Sequence, residues 1–409
     1  MREQNINLGI AVASLTGSGT NAQGDARLPE PAFCRALSLL GRTHGADVYV
    51  FAADGFDPRT GELLAYRLRN TRWVLESVPL PDIVYNRCFF SSPGQRPAFR
   101  SMLQAMKLRK PFMLLGGELP AKLEVYGALQ SDPDLAAHLP ETVRYRSAEQ
   151  LTELLRQHPG GIVLKPASGM QGKGIAHIAR CPLQNQWTVR GRSRQNRPFS
   201  RTFEGEGGLT EWILRFTGSC SYIVQPYLEL AGGDGKPFDV RALLQKDETG
   251  RWTLSGTAAR IGRSGSITSN LHGGGTAEPA LRLLSAKFGT LEAERLLMRI
   301  HTISKRAAET LESEFGRLAE LGLDFGIEPG GRIWLLEANS KPGRSSFSQI
   351  NDQTAEQHSV RRPLLYACSL AKRLNPSISM GAVETASGRR RYLISGNPIR
   401  PFNVQEVHR

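Results

Sequence analysis

Residues 321–343 read LGLDFGIEPGGRIWLLEANSKPG. Two apolar runs of strand length flank Pro329, Gly330 and Gly331, which predicts a β-hairpin. A loop of two residues (Gly330-Gly331) or of four (329–332) gives the same register, and in it Asp324 faces Glu337. Side chains alternate along a strand, so Asn339 shares the Glu337 face while Leu336 and Ala338 face the core. Opposed carboxylates with Cβ atoms about 5 Å apart repel. A hard divalent cation is the simplest remedy, because Asp, Glu and Asn oxygens are the ligands Mg²⁺ takes beside substrate phosphates. The plainer alternative is a solvent-screened surface pair. Apolar Leu323, Phe325, Leu335 and Leu336 argue instead for a packed hairpin.

Upstream, residues 161–178 read GIVLKPASGMQGKGIAHI. A strand ends at Lys165, Pro166 stops it, and Gly169, Gly172 and Gly174 follow. Such a loop brings backbone N–H groups close to phosphate oxygens, and Lys165 sets a positive charge beside it. Taken alone, a glycine-rich hairpin with a solvated strand-end lysine reads equally well. Residues 221–230, SYIVQPYLEL, form an apolar strand broken by Pro226, whose freed backbone groups could read an adenine edge. In GKPFDVRALLQ (235–245), Asp239 and Arg241 share a strand face, and a buried arginine there requires an anionic partner. Residues 258–275 present Arg260, Asn270 and a run of glycines.

The chain has 409 residues, 40% hydrophobic and 7% aromatic, with a formal charge of +14. That composition excludes global disorder, and the length predicts two or three domains or one multi-lobed enzyme. No uncharged apolar run approaches the roughly 18–20 residues of a membrane span. INLGIAVASL (6–15) follows a neutral MREQN with no cleavage site after it, so it reads as a first strand and not a secretion signal. Cys34, Cys88, Cys181, Cys220 and Cys368 are odd in number and far apart, which excludes a zinc knuckle or CxxC pair and fits a reducing cytoplasm. Residues 187–201 carry Arg190, Arg192, Arg194, Arg197 and Arg201 without an acid; residues 389–409 carry five more arginines against Glu406. Together they hold most of the basic excess. Arginine clusters grip phosphate or carboxylate polymers, although a solvated loop and tail is the blander reading. No zinc-finger, helix-turn-helix or RRM pattern supports nucleic acid.

Strand and helix signals alternate over residues 1–115, predicting a small α/β domain. Residues 116–375 read as α+β, with a long helical run from 279 to about 322, and 376–409 as an irregular basic tail. Three motifs fail on inspection. GSGTNA (17–22) lacks the helix a dinucleotide fold needs, LHGGG around His272 has no G-x-S-x-G partner, and GMQGKG has Gly174 where a Walker loop needs Ser or Thr.

In this order, the Lys165 glycine loop, QPYL, FDVR, SNLHGGG and Asp324…Glu337-x-Asn339 with NSKPG resemble an ATP-grasp enzyme. LPDIVYNRCF (80–89), HLPETVRYRS (138–147), KPASGMQGKGI (165–175) and LLEANSKPG (335–343) are more narrowly similar to the YheC/YheD family of endospore coat-associated proteins. The likeness covers about residues 80–370. It departs at Pro226, where a residue with an N–H is often found, and in the basic stretch 187–201. The resemblance implies two α+β lobes clasping ATP behind an α/β domain. It also implies a ligase that phosphorylates a carboxylate for attack by an amine or thiol. Carried over residue by residue, Lys122 (in LPAKLEVYGAL) and Lys165 contact phosphates under a loop of Gly169, Gln171, Gly172 and Gly174. Gln225, Pro226 and Leu228 form the adenine hinge. Asp324, Glu337 and Asn339 hold Mg²⁺, two ions by expectation, with Mn²⁺ able to substitute. Arg241, Arg260 and Asn270 stabilise the acylphosphate. The partners expected are ATP, an unidentified carboxylate and amine or thiol, an anionic polymer or peptide among them, and the spore coat. The alternatives are a nucleotide-binding coat protein without ligase activity, and a basic nucleic-acid adaptor.

Overall fold

Three sheets, of six, six and five strands, organise the described residues of the computed structural model, which are 6–15, 28–92, 94–169, 172–181, 186–230, 235–269, 271 and 274–374. The first sheet is built from β1 (Ile6–Ala11), α1 (Pro31–Thr43), β2 (Ala46–Phe51), β3 (Leu63–Arg69), β4 (Arg72–Val78), β5 (Ile83–Asn86), α2 (Gln95–Arg109) and β6 (Met113–Leu114). Its order is β4-β3-β2-β1-β5-β6. The β2-β1-β5-β6 part is parallel, and β3 and β4 add an antiparallel edge. Parallel strands covered on both faces must be apolar almost throughout. Ile6, Leu8, Ile10, Val48, Val50 and Ile83 are all buried.

The second sheet follows α3 (Lys122–Gln130) and α4 (Pro133–Ala136). It comprises β7 (Val143–Arg144), α5 (Ala148–Gln157), β8 (Ile162–Pro166), β9 (Ile175–Cys181), β10 (Gln186–Arg192), β11 (Pro198–Glu204), α6 (Glu206–Thr217) and β12 (Tyr222–Pro226). The order is β11-β10-β9-β8-β12-β7. One face packs on α5 and α6 through Leu164, Ile178, Val189, Leu209, Ile213 and Val224. The other face is left for the cleft.

The third sheet, β15-β14-β13-β16-β17, uses β13 (Phe238–Lys246), β14 (Trp252–Ile261), β15 (Thr276–Pro279), α7 (Ala280–Phe288), α8 (Thr290–Phe315), β16 (Glu320–Ile327) and β17 (Ile333–Asn339). The expected single helical run is two helices, because Gly289 at φ 82° breaks it. It also ends earlier than expected: α8 stops at Phe315, and Glu320–Gly322 already belong to β16. Leu296, Ile300, Ile303, Ala307 and Leu311 form the buried stripe of α8, at the spacing of a helix with one covered face. After α9 (Ser345–Gln349), α10 (Gln353–Leu374) returns to the first sheet. Its Leu364, Ala367, Leu370 and Ala371 share a core with Ile6, Leu8, Val48 and Ile83. The basic stretch 376–409 and GSGTNA (17–22) lie outside the described residues.

Candidate active site

The hairpin β16–β17 sets the carboxylates. Its loop has neither two nor four residues. Glu328 N–H donates to Arg332 O at 3.0 Å and Gly331 N–H to Glu328 O at 2.8 Å, leaving the three residues 329–331. Gly331 takes φ 80°, the left-handed position that closes such a loop. Phe325 therefore pairs with Leu335, one step off the expected register. A bulge at Leu336 then restores it, so Asp324 opposes Glu337 and Gly322 opposes Asn339. Leu335, 3% exposed, occupies the core, and Leu336, expected there, is half-buried.

The expected repulsion between these carboxylates is absent, because basic side chains already neutralise both. Nor are they a solvent-screened surface pair, since Asp324 is only 5% exposed. Arg241 donates from Nε to Asp324 Oδ1 and from Nη2 to Oδ2 at 3.0 Å. Arg260 reaches Asp324 Oδ2 at 2.9 Å and forks onto Asp239 at 2.6 and 2.8 Å. Ser269 Oγ also donates to Asp239. Burial opposes ionisation of Asp324, but Arg241 and Arg260 outweigh it and hold the group at about 2. Asp239 is pushed upward, by burial first and then by Asp324, with Arg260 working against both. Lys122 Nζ lies 2.7 Å from Glu337 Oε1. Arg241 and Arg260, expected at an acylphosphate, are thus engaged by Asp324 and Asp239.

Lys165 closes the opposite wall. Its Nζ donates to Gln225 Oε1 at 2.6 Å, and Gln225 Nε2 donates to Thr142 Oγ1 at 2.7 Å. Burial lowers the Lys165 ammonium to about 8, with Lys122 adding to the effect and Glu337 opposing it. Strand β8 includes Pro166, which pairs with Tyr222. Gly172 and Gly174 take φ 68° and 70°, and a Cβ on Gly174 would come within 3.1 Å of Pro166 and Tyr222, so glycine is required there. Tyr227, between Pro226 and Leu228, stacks on His177 with ring centroids 3.9 Å apart.

These residues surround one cleft, open at its mouth. Lys122, Lys165, Gly169, Gly172, Gln225, Pro226, Leu228, Arg260, Asp324 and Glu337 all line it. Arg241 stands behind Asp324, and Asn339 ends β17 half-buried. Gln171 and Asn270 lie outside the described residues. Thr142, Ser269 and the His177–Tyr227 stack were not singled out from the sequence, since a partner distant in the chain gives each its role. Among the described residues no three His, Cys, Asp or Glu side chains cluster as a metal site, and no helix is long and apolar enough to cross a membrane. Asp324, Glu337 and Asn339 supply two carboxylates and an amide from one end of a paired hairpin. This is an incomplete oxygen set, suited to a hard cation whose remaining ligands come from phosphate and water.

Endospore coat-associated protein YheC of Bacillus subtilis (strain 168) is 28% identical over 312 residues, covering 75% of this chain and 81% of the relative. Endospore coat-associated protein YheD of the same organism is 27% identical over 349 residues, 83% of this chain and 74% of the relative. Among solved structures, D-cycloserine synthetase DcsG aligns at 16% identity and a TM-score of 0.48, covering 90% of this chain and 100% of that one. The sequence model of the YheC/D-like ATP-grasp family matches residues 112–370, more than half of the chain, and the chain belongs to that family.

Proposed function

We propose that this chain is an ATP- and Mg²⁺-dependent ligase that joins a carboxylate to an amine or thiol. The observation that supports this most is the convergence of Lys122, Lys165, the glycine loop, the Gln225–Leu228 hinge and the Asp324–Glu337 pair on one cleft. Pro226 C=O accepts from the adenine amine and Leu228 N–H donates to the ring. Lys122, Lys165 and the N–H groups of the Gly169–Gly174 loop hold the phosphates, donors fixed before the charge develops. Asp324, Glu337 and Asn339 would hold Mg²⁺, which supplies charge neutralisation at the phosphates when bound. A carboxylate oxygen attacks the γ-phosphorus and ADP leaves. The amine or thiol then attacks the acyl carbon, phosphate departs, and an amide or thioester remains. Arg241 and Arg260, fixed against Asp324 and Asp239, contribute their field to the acylphosphate end. This route requires no covalent nucleophile from the protein.

A second reading, a nucleotide-binding coat-associated protein without ligation, takes its support from the names of the two relatives. Phosphate release from Mg²⁺-ATP across a matrix of carboxylates and amines separates the two. Stimulation by one pair supports the ligase. Tight ATP binding with no stimulation by any pair supports the scaffold.

A further inference from the structure

The cleft face of the second sheet does not end at the nucleotide. Val163, Lys165, Ile175 and Gln225 line the cleft. Register carries that face outward: Val163 pairs with His177 and His177 with Arg190, while Ile175 pairs with Arg192. Strands lie about 4.8 Å apart, so the Arg192 backbone stands roughly 10 Å from that of Lys165. The turn beyond is docked on the phosphate loop, since Gly174 N–H donates to Ser193 O at 3.1 Å. Two arginines brace it: Arg192 binds Asn196 Oδ1 at 2.7 Å and its carbonyl at 2.9 Å, and Arg194 binds Thr217 O at 2.5 Å. Arg190 and Arg197 are exposed, and residues 187–201 contain no acid.

We infer that this basic rim seats the carboxylate substrate of the reaction, and that this substrate is a polycarboxylate, an acidic peptide. Guanidinium forks match carboxylates in pairs, and several in one row suit a chain with repeated charges better than a small monoanion. The inference rests on the ligase reading for its carboxylate chemistry, while the binding itself can be measured apart from turnover.

The test is anisotropy of a fluorescein-labelled twelve-residue oligo-glutamate with the full chain, with and without a non-hydrolysable ATP analogue. Arg190→Gln/Arg197→Gln should weaken binding about tenfold at low ionic strength, the gap closing as salt screens the charges. Arg190→Lys/Arg197→Lys should recover part of it. Affinity for a fluorescent ATP analogue should be the same in all three proteins. Equal peptide affinity in parent and Gln variant would overturn the inference, as would tighter binding of a twelve-nucleotide oligo-dT, which would make the rim a nucleic-acid face. Failure of the parent to bind ATP would instead strike the ligase reading alone.

Discussion

Lys165 donates to a neutral partner, Gln225 Oε1, in a cleft that lowers its ammonium to about 8. Replacing it with Ala should weaken ATP binding by about 1.5–3 kcal/mol, the range for a charge-assisted contact; calorimetry checks this. Its titration gives a signed pH dependence. The folded value lies below the ordinary 10.5, so the fold binds fewer protons than the unfolded chain between the two. The cost of burying this ammonium is therefore present below about pH 8 and is relieved as pH rises toward 10.5. ATP affinity runs the other way: it is retained below pH 8 and falls above it, whereas Lys165→Arg flattens the decline. Lys122 guards Glu337 at 2.7 Å. Lys122→Gln should thus raise the affinity for Mn²⁺ without nucleotide, by about tenfold if a unit charge at this distance is removed from a partly solvated site. Paramagnetic titration of the free protein reads it directly.

The β16–β17 hairpin shows how far pattern alone reaches. The strands, the loop and the opposition of Asp324 to Glu337 were legible, because alternation and a Pro-Gly-Gly loop constrain them. The three-residue loop and the Leu336 bulge were not. The two shifts cancel at the carboxylates, and neither Leu335 nor Leu336 differs in chemistry to show which one bulges. Gly331 carries the loop at φ 80°, with only Glu292 at 4.0 Å from an added Cβ. Gly331→Ala should therefore cost about 1 kcal/mol through backbone strain alone, seen as a lower denaturation midpoint with an unchanged slope. The partners of Arg241 and Arg260 were hidden for another reason. An Asp-x-Arg spacing shows a shared face, but which carboxylate meets which guanidinium depends on β13 lying between β14 and β16.

At the scale of the molecule, the first sheet and the third are joined by charge buried between them. Arg87, 1% exposed, donates to Glu30, to Glu320 Oε1 at 2.8 Å and to Pro342 O at 3.0 Å. Arg344 binds the other Glu320 oxygen at 2.5 Å. This network fixes the loop that follows Asn339, so the first sheet helps to set the end of the β16–β17 hairpin. Arg87→Ala should cost about 3 kcal/mol or more by leaving Glu30 and Glu320 under-compensated, measured by chemical denaturation. The most direct test of the whole account is the ATP-induced rise in Tm with and without Mg²⁺, in the parent and in Glu337→Gln. The unliganded variant should melt at or slightly below the parent, because a half-exposed pair with Lys122 is worth at most about 1 kcal/mol. Mg²⁺ should enlarge the ATP-induced rise in the parent and add little in the variant. An equal Mg²⁺-dependent rise in both proteins would contradict the assignment of Glu337 to the metal and with it the catalytic reading of the cleft.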